Sequence, residues 1–390
     1  MTDVMVVAGA RTGIGDYGGG LKDVPPTMLG SIAIREAVRR ANADPASVGH
    51  VVMGSVIHGE ARDMYLSRVA ALDAGLPVGT PCLTVNRLCG SGLQAVVSAA
   101  QHILLGDCAV AVAGGAESMS RAAYMLPSGR WGQRMGDAPV IDAMTAALHD
   151  PFGHGHMGVT AENIAAKYGF TREQQDQYSV ESHKRAARAI EAGHFRSQIV
   201  PVELKTRKGV EQFTADEHVR ADASMENLAK LKPVFKKDGT VTAANASGIN
   251  DGAAAIVLMD AKAAKNAKPM ARLVAYAHAG VEPQVMGLGP IPAVKRVFER
   301  SGLKPADMDV IESNEAFAVQ AMAVTKDLGL DPAKVNPNGG AVALGHPVGA
   351  TGAILTVKAL YELQRTQKRY ALVTMCIGGG QGIAAIFERV

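Results

Sequence analysis

The chain has 390 residues, of which 47% are hydrophobic and 20% are charged. This composition is typical of a globular protein that buries an extensive core, and the length suggests two domains. The net charge of +3 is too small, and the basic residues are too scattered, to indicate binding to nucleic acid.

The first residues predict a strand rather than a targeting segment. Met1-Thr2-Asp3 and the apolar run over residues 4–10 are too short and too acidic for a signal peptide. We identify no apolar run of the roughly 18 residues that a membrane helix needs, and the last three residues form no retention or peroxisomal signal. We therefore expect a cytoplasmic protein with no membrane partner.

The cysteine and histidine pattern argues against disulfides and metal ions. The four cysteines form no CxxC pair, and a chain without an export signal keeps its thiols reduced. His154 and His156 lie in a glycine-rich loop without the cysteine or carboxylate neighbours that a metal site needs. We expect neither a disulfide nor a bound metal.

Segments near the start of the chain are echoed near its end, in the same order. The paired segments are 43–54 with 303–314, 85–105 with 335–363, and 109–115 with 371–379. Matched strands, turns and helices predict two copies of one α/β unit, with mostly parallel strands and helices on both faces. The alternative is chance similarity, because α/β proteins reuse such patterns.

Cys89 lies between an apolar strand and a helix predicted over residues 93–105. The dipole and free N–H groups of a helix N-terminus lower the pKa of a thiol. Gly90 and Gly92 leave room for a substrate to reach the sulfur. The alternative is a buried small hydrophobe, the common fate of a free cysteine, but we favour a nucleophile.

Residues 120–247 differ in character from the repeated segments and predict an insertion laid over the duplicated core. Residues 125–137 are rich in glycine and arginine and contain the only tryptophan, Trp131. Thr171 is predicted to cap a charged, amphipathic helix, with Glu173 too close for the usual capping-box spacing. We expect this insertion to grip a ligand.

Three residues of the second copy also invite a chemical role. The amide of Asn314 follows a buried strand and can hold a water or polarise a carbonyl, unless it caps a helix. His346 lies in a Gly-His-Pro turn before a helix and suits the role of base for Cys89, although a lone histidine is most often structural. Cys376 ends an apolar strand before bare backbone N–H groups. Taken alone, Cys376 is better interpreted as a core residue.

Together these motifs resemble those of the thiolase family, in particular bacterial short-chain β-ketothiolases such as those that supply polyhydroxyalkanoate synthesis. The resemblance covers essentially the full chain. The matching motifs are Asn86-Arg87-Leu88-Cys89-Gly90-Ser91-Gly92, Gly114-Gly115-Ala116-Glu117-Ser118-Met119-Ser120, Asn314-Glu315-Ala316-Phe317, Gly345-His346-Pro347-Val348-Gly349 and Cys376-Ile377-Gly378-Gly379-Gly380.

The resemblance implies an α/β fold in which two βαβαβαββ units form a five-layered αβαβα core with an inserted loop domain. The implied division is a first half of residues 1–119 with 248–269, an insertion of residues 120–247, and a second half of residues 270–390. It also implies a homotetramer, a dimer of dimers, assembled through the loop over residues 125–142.

The resemblance further implies a ping-pong acyl transfer between coenzyme A thioesters. His346 takes the proton of Cys89, whose thiolate forms an acyl-enzyme, and Cys376 then removes an α-proton from acetyl-CoA. One oxyanion hole combines His346 with a water held by Asn314. A second combines the backbone N–H groups of Cys89 and Gly378.

Acetyl-CoA, other short acyl-CoA and coenzyme A are the implied partners, as substrates, and no separate cofactor is expected. The positions implied to contact coenzyme A and the acyl group are Leu148, His156, Met157, Arg220, Phe235, Ala243, Ser247, Met286, Ala316 and Phe317.

Three alternatives stay open at this stage. The chain length of the acyl group is undecided, so a degradative thiolase for longer chains is one alternative. A decarboxylating ketosynthase is another, but it has no need for the proton-abstracting Cys376. A catalytically silent lipid carrier is the third, and it predicts loss of the reactive residues, which are all present.

Overall fold

A computed structural model describes residues 3–207 and 209–390, which form fourteen strands, eleven α-helices and several short 3₁₀ turns. The strands, β1 to β14 in chain order, are Val4–Arg11, Gly15–Asp16, His50–Gly54, Cys82–Val85, Val110–Ser118, Tyr124–Met125, Ile141–Asp142, Val202–Thr206, Gly209–Phe213, Asn250–Asp260, Ala271–Gly280, Val310–Ser313, Tyr370–Ile377 and Gln381–Arg389. The helices, α1 to α11, are Pro26–Arg40, Leu66–Asp73, Ser91–Leu105, Ala143–Ala147, Met157–Tyr168, Arg172–Glu191, Met225–Ala229, Pro290–Ser301, Ala318–Asp327, Ala341–Leu344 and Thr351–Thr366.

Nine strands lie side by side in the order β12-β13-β14-β11-β1-β10-β5-β3-β4. In the middle of this path, β1 pairs with β11 through Met5 with Arg272 and Val6 with Ala271. All neighbouring strands on either side pair over longer stretches. The path therefore divides at this short seam into a first sheet, β1-β10-β5-β3-β4, and a second sheet, β11-β14-β13-β12.

Helices form three layers around the two sheets. Helices α1 and α2 pack on the outer face of the first sheet, and α8 and α9 pack beside the outer face of the second. Helices α3 and α11 fill the space between the sheets, where a third apolar core joins both inner faces. These layers confirm the five-layered αβαβα fold predicted from the sequence. The prediction of mostly parallel strands was wrong, because five neighbouring pairs along the strand path are antiparallel and three are parallel.

The two sheets repeat one order of strands but differ at the strand equivalent to β4. In the second copy, the strand equivalent to β4 is reduced to a single parallel bridge between Val335 and Ile311. The next residue, Asn336, has φ 45°, so the chain leaves the sheet there. The Asn336 side chain replaces the hydrogen bonds that a neighbouring strand would make to Ser313. Its Oδ1 atom accepts from Ser313 N at 2.9 Å, and its Nδ2 atom donates to Ser313 O at 2.8 Å.

The most apolar segment of the chain is a core helix. Among the described residues, Leu88–Leu105 is the one helical segment long and apolar enough in composition to cross a membrane. The sequence analysis identified no such run, and that expectation was wrong. The segment is largely apolar because α3, which makes up most of it, packs between two sheets. Its polar residues Gln94, Ser98, Gln101 and His102 recur at helical spacing and therefore share one face.

The insertion contains α4 to α7 and two small hairpins, β6-β7 and β8-β9. Thr171 caps α6, as predicted. The capping box is also present, because Gln174 donates its backbone N–H to the Thr171 hydroxyl and accepts from the Thr171 N–H. The sequence analysis considered only Glu173 for this position and overlooked Gln174.

A fully buried ion pair attaches the insertion to the core. Arg11 at the end of β1 donates to both carboxylate oxygens of Asp216, with Nη1–Oδ1 at 2.8 Å and Nη2–Oδ2 at 2.9 Å. The Asp216 Oδ1 atom also accepts from the backbone N–H of Ile14. Because a bidentate Arg–carboxylate pair has a defined geometry, it fixes the segment around residue 216 against the first sheet.

Helices α3 and α11 approach each other most closely at two glycines. A Cβ atom on Gly92 would lie 2.6 Å from the backbone N of Ala353, and one on Gly352 would overlap the backbone N of Leu93. Backbone atoms cannot swing aside as a side chain can. Glycine is therefore required at both positions by this approach alone, since neither has a positive φ.

We predict that Gly352→Ala forces α3 and α11 apart and lowers the free energy of unfolding by about 1–3 kcal/mol, the usual cost of overpacking a core. Chemical denaturation at matched protein concentration measures the change. Gly79→Ala is the control, because its added methyl group meets no atom within 4 Å. Equal stabilities of the two variants would contradict the close approach of the helices.

Candidate active site

An apolar cavity of about 440 Å³ opens beside the ends of α3 and β13. Most of the residues predicted from the sequence line it. They are Cys89, Leu148, His156, Met157, Phe235, Ala243, Ser247, Met286, Ala316, Phe317, His346 and Gly378. The predicted residues Asn314 and Cys376 are fully buried close to this lining, and Arg220 lies outside it.

Cys89 lies in a tight turn directly before α3. Leu88 in this turn has φ 46°, and its N–H donates to the Asn86 side chain at 2.9 Å. The Ser91 hydroxyl accepts from Arg87 N at 2.9 Å and donates to Leu88 O at 2.6 Å. These hydrogen bonds hold Cys89 just before the N-terminus of α3, where its side chain lines the cavity.

The pKa of the Cys89 thiol is raised, which contradicts the lowered value expected from the sequence. Burial is the main cause, and the nearby Glu117 carboxyl adds to it. The backbone N–H groups of Gly378 and of Cys89 itself act in the opposite direction. Removal from water disfavours the thiolate more strongly than the helix N-terminus favours it. The thiol is therefore neutral at neutral pH and needs a base.

His346 is oriented by the turn between α10 and α11. The backbone N–H of His346 donates to Asn250 Oδ1 at 2.9 Å. The preceding residue, Gly345, has φ 102°, and a Cβ atom there would collide with the Asn250 side chain. Thr351 Oγ1 donates to Pro347 O at 2.9 Å and lies 2.6 Å from His346 Nδ1. Because that hydroxyl hydrogen is already used, Nδ1 carries the imidazole hydrogen and Nε2 is free to accept a proton.

Burial lowers the pKa of His346 to about 4. The imidazole is therefore neutral at neutral pH, which is the form that a general base needs. Cys89 and His346 line the same cavity as a neutral thiol and a neutral imidazole, which are the forms that a nucleophile and its base need.

Asn314 follows β12 and lies beside the histidine. Its Nδ2 atom is 3.5 Å from His346 Nε2, and its buried Oδ1 atom has no hydrogen-bond partner among the described residues. The alternative of a helix-capping role is wrong, because α9 begins at Ala318 with Phe317 as its N-cap residue. The amide is thus placed to bind a polar atom in the site.

Cys376 is completely buried near the end of β13. Burial raises the pKa of its thiol well above the usual range, and the neighbouring Cys89 raises it further. The two sulfurs are therefore close enough to interact electrostatically. The predicted catalytic residues are brought together in one place from both copies of the repeat.

Aromatic side chains and paired backbone build the wall of the cavity. The His156 ring stacks on Phe235 at 4.6 Å between centroids, and Phe235 meets Phe317 edge-on at 6.2 Å. Ser247 N donates to Ala316 O at 3.0 Å. His156, Phe235 and Ser247 belong to the insertion, whereas Ala316 and Phe317 follow β12 of the second sheet. Both parts of the chain therefore contribute to the wall of the cavity.

Arg220 is mostly exposed near the cavity. Its Nη2 atom donates to Asp16 Oδ2 at 3.0 Å, and Asp16 lines the cavity together with His218. Its backbone N–H donates to His183 Nδ1 at 3.1 Å. Arg220 therefore lies at the cavity mouth, where a charged part of a ligand can reach it.

Sequence analysis missed several lining residues, most of them apolar. They are Asp16, Tyr17, Val56, Leu88, Met119, Ala147, His218, Val234, Ala246, Gly248, Ile249 and Val348. Asp16 and Tyr17 lie in a glycine-rich run over residues 15–20, which indicates a turn but no particular binding site. Nothing in the local sequence places it beside residues 216–220, because that contact spans about 200 residues of chain.

No metal site is apparent: within residues 3–207 and 209–390, no three His, Cys, Asp or Glu side chains are grouped to hold an ion.

Two neighbouring cysteines and a neutral histidine at an apolar cavity, on a duplicated five-layered fold, are an arrangement suited to the transfer of acyl groups. Family models agree: the thiolase N-terminal domain matches residues 4–262 and the thiolase C-terminal domain matches residues 267–389. The chain belongs to the thiolase family.

Individual relatives align over essentially the whole chain. A protein of Cupriavidus necator named beta-ketothiolase BktB is 63% identical over 100% of this chain and 99% of its own length. An acetyl-CoA acetyltransferase of the same organism is 48% identical over 100% of both chains. The crystal structure of human mitochondrial 3-ketoacyl-CoA thiolase superimposes with a TM-score of 0.98 at 44% identity, covering 100% of this chain and 99% of that one.

We predict that Thr351→Val lowers kcat by about 10- to 100-fold, a part of the roughly 10²–10⁴-fold that a positioned base contributes. The valine cannot accept the Nδ1 hydrogen, so the imidazole loses its fixed tautomer and orientation. Steady-state kinetics measure the effect. Thr351→Ser keeps the hydroxyl and should retain most of the activity, and equal loss in both variants would argue for a packing role of Thr351.

Proposed function

We propose that the protein is a β-ketothiolase that joins two acyl-CoA molecules into a 3-oxoacyl-CoA and free coenzyme A, reversibly. The observation that carries the proposal is the meeting of Cys89, His346 and Cys376 at one apolar cavity. One thiol suits attack on a thioester, and the second suits removal of an α-proton. The names of the relatives, beta-ketothiolase and acetyl-CoA acetyltransferase, support the same reaction.

In the first half-reaction, His346 Nε2 accepts the proton of Cys89 as the sulfur attacks the thioester carbonyl. The carbon–sulfur bond to coenzyme A then breaks, and the departing sulfur takes the proton from His346. The backbone N–H groups of Cys89 and Gly378 lie beside the Cys89 sulfur and stabilise the oxyanion of the tetrahedral intermediate. The products are acyl-Cys89 and coenzyme A.

In the second half-reaction, the Cys376 thiol passes its proton to His346, and the resulting thiolate removes an α-proton from acetyl-CoA. The enolate forms a carbon–carbon bond with the acyl group, the bond to Cys89 breaks, and the Cys89 sulfur takes the proton from His346. Protonated His346 and a water held by Asn314 stabilise the enolate oxygen in the meantime. Both thiols and the imidazole end the cycle in their neutral starting forms.

Coenzyme A is proposed to enter between the insertion and the second sheet. The wall formed by Phe235, Phe317 and Met286 takes the pantetheine and acyl groups, and Arg220 at the mouth meets the phosphates. A solved structure of the human mitochondrial relative, 43% identical with a TM-score of 0.97, is described as a complex with CoA. No separate cofactor takes part.

Short acyl groups, acetyl foremost, are the proposed substrates, with a cytoplasmic role in polyhydroxyalkanoate synthesis. The alternative is a degradative thiolase for longer chains. It is favoured by the apolar lining of the cavity and by the name of the human relative, 3-ketoacyl-CoA thiolase. Values of kcat/KM for thiolysis of short and long 3-oxoacyl-CoA distinguish the two.

We predict that acetyl-CoA alone acetylates the intact protein on Cys89, as measured by mass spectrometry. The adduct should be absent from Cys89→Ser, should accumulate in Cys376→Ser because the second half-reaction is blocked, and should disappear on addition of coenzyme A. A folded protein that forms no adduct in any variant would exclude this mechanism and favour a silent carrier.

A homotetramer is proposed on the basis of an exposed apolar loop. Residues 125–142 are held at their base by the pairing of β6 with β7. The side chains of Trp131 and Met135 in this loop are 89% and 85% exposed. A single tryptophan and methionine so exposed on one loop are typical of an interaction site.

We predict that Trp131→Asp converts the tetramer to dimers, since a carboxylate cannot be buried unpaired in an interface. Light scattering coupled to size-exclusion chromatography measures the mass. Val210→Asp on the β8-β9 hairpin is the matched control, because it adds the same charge at another exposed apolar residue. A wild-type dimer, or a Trp131→Asp tetramer, would exclude this loop as the tetramer contact.

A further inference from the structure

Asp16 carries the only carboxylate among the described residues that line the cavity. It ends β2, a two-residue strand whose pairing with Asn250 and Asp251 fixes it beside the start of β10. The remainder of the described lining is apolar apart from histidine, serine, tyrosine and the Cys89 thiol. A carboxylate in such an apolar lining attracts or repels the charged groups of a ligand more strongly than one in bulk water.

Two basic side chains of the insertion hold this carboxylate. Oδ1 lies 2.9 Å from His218 Nδ1, and Oδ2 accepts from Arg220 Nη2 at 3.0 Å. Burial raises the pKa of Asp16, but the hydrogen bond from His218 and the charge of Arg220 outweigh it and lower the pKa below its usual value. Asp16 is therefore ionised at neutral pH and neutralises the cation nearest the cavity mouth.

The neighbouring carboxylate of Glu217 faces elsewhere. Its Oε2 atom accepts from the backbone N–H of Asp16 at 2.9 Å, and both oxygens accept from Gly20 N at 3.1 Å. Glu217 does not line the cavity. Asp16 is thus the anion that an entering ligand meets.

We propose that Asp16 is a specificity-determining residue that limits the affinity for the phosphate-bearing end of a coenzyme A thioester. The inference rests on the proposed use of coenzyme A thioesters. The carboxylate occupies an N–H group on the edge of the Arg220 guanidinium, and its charge repels the phosphate groups of the entering substrate.

The opposite effect, a carboxylate that helps by positioning Arg220, is weaker. The Arg220 side chain is 58% exposed, and a single hydrogen bond joins it to Asp16. Ion pairs between exposed side chains contribute little. Repulsion between Asp16 and several phosphate charges adds over each charge, and it is reduced by ionic screening and by the bonded Arg220 cation. The two effects predict opposite signs, because loss of repulsion lowers KM and loss of positioning raises it.

The test is Asp16→Asn, which keeps the shape of the side chain and removes its charge. At low ionic strength, KM for acetoacetyl-CoA should fall about 3- to 10-fold, and the effect should shrink to less than about 2-fold near 0.5 M salt. With acetoacetyl-pantetheine, which lacks the phosphates, KM should change by less than about 2-fold. Calorimetry with coenzyme A alone should show the same gain in affinity without any turnover.

Two matched variants separate charge from other causes. Asp16→Glu restores the carboxylate and should keep the high KM. Asp23→Asn makes the same change of net charge at an exposed residue outside the cavity lining and should leave KM unchanged. A rise in KM in Asp16→Asn, no change, or an equal change with acetoacetyl-pantetheine would overturn the proposal.

Failure of the proposed function looks different from failure of this inference. Wild-type protein that turns over neither thioester contradicts the β-ketothiolase reaction, and calorimetry with coenzyme A then still decides the role of Asp16. Wild-type turnover with unaltered affinity in Asp16→Asn contradicts only the role of Asp16.

Discussion

The close approach of α3 and α11 is the constraint on which the active site depends. At Gly92 and Gly352 the two helices touch backbone to backbone, with no side chain between them. The proposed nucleophile, Cys89, lies just before α3, and the proposed base, His346, lies in the turn that leads into α11. Because each copy of the repeat contributes one of these helices, packing of the copies against each other also assembles the pair.

Burial at this junction favours the uncharged forms of Cys89, Cys376 and His346. It raises the pKa of both thiols and lowers the pKa of His346. In such surroundings a developing oxyanion interacts strongly with the few N–H groups aimed at it, because little water competes for them. Desolvation raises the free energy of a thiolate, which has few partners in the site. It strengthens the hydrogen bonds to an oxyanion, so it favours a transition state in which the charge lies on oxygen.

Much of the fold and of the site could be predicted from the sequence, because glycine-rich turns and repeated strand–helix patterns are local signals. These signals pointed to Cys89, His346 and the order of the repeated elements. The local sequence favoured a core role for Cys376, and only the resemblance to thiolases assigned it a place in the site. The direction of the pKa shift at Cys89 was wrong, because burial is created by the opposite sheet and α11. The pairing of Asp16 with Arg220 was also out of reach, since neither residue carries a local motif and the insertion sets their contact.

The two copies of the repeat are not equivalent at the thiol of Cys376. Val51 pairs with Val112 in the first sheet and Ile311 pairs with Leu372 in the second, so Cys376 on β13 occupies the place that Ala116 has on β5. Both side chains are fully buried in the core outside their own sheet, and the methyl group of Ala116 packs beside Gly30 of α1. The first copy thus has an inert packing residue where the second has a thiol. The internal pseudo-symmetry holds for the backbone and is broken at the side chains, so one asymmetric cavity serves both copies.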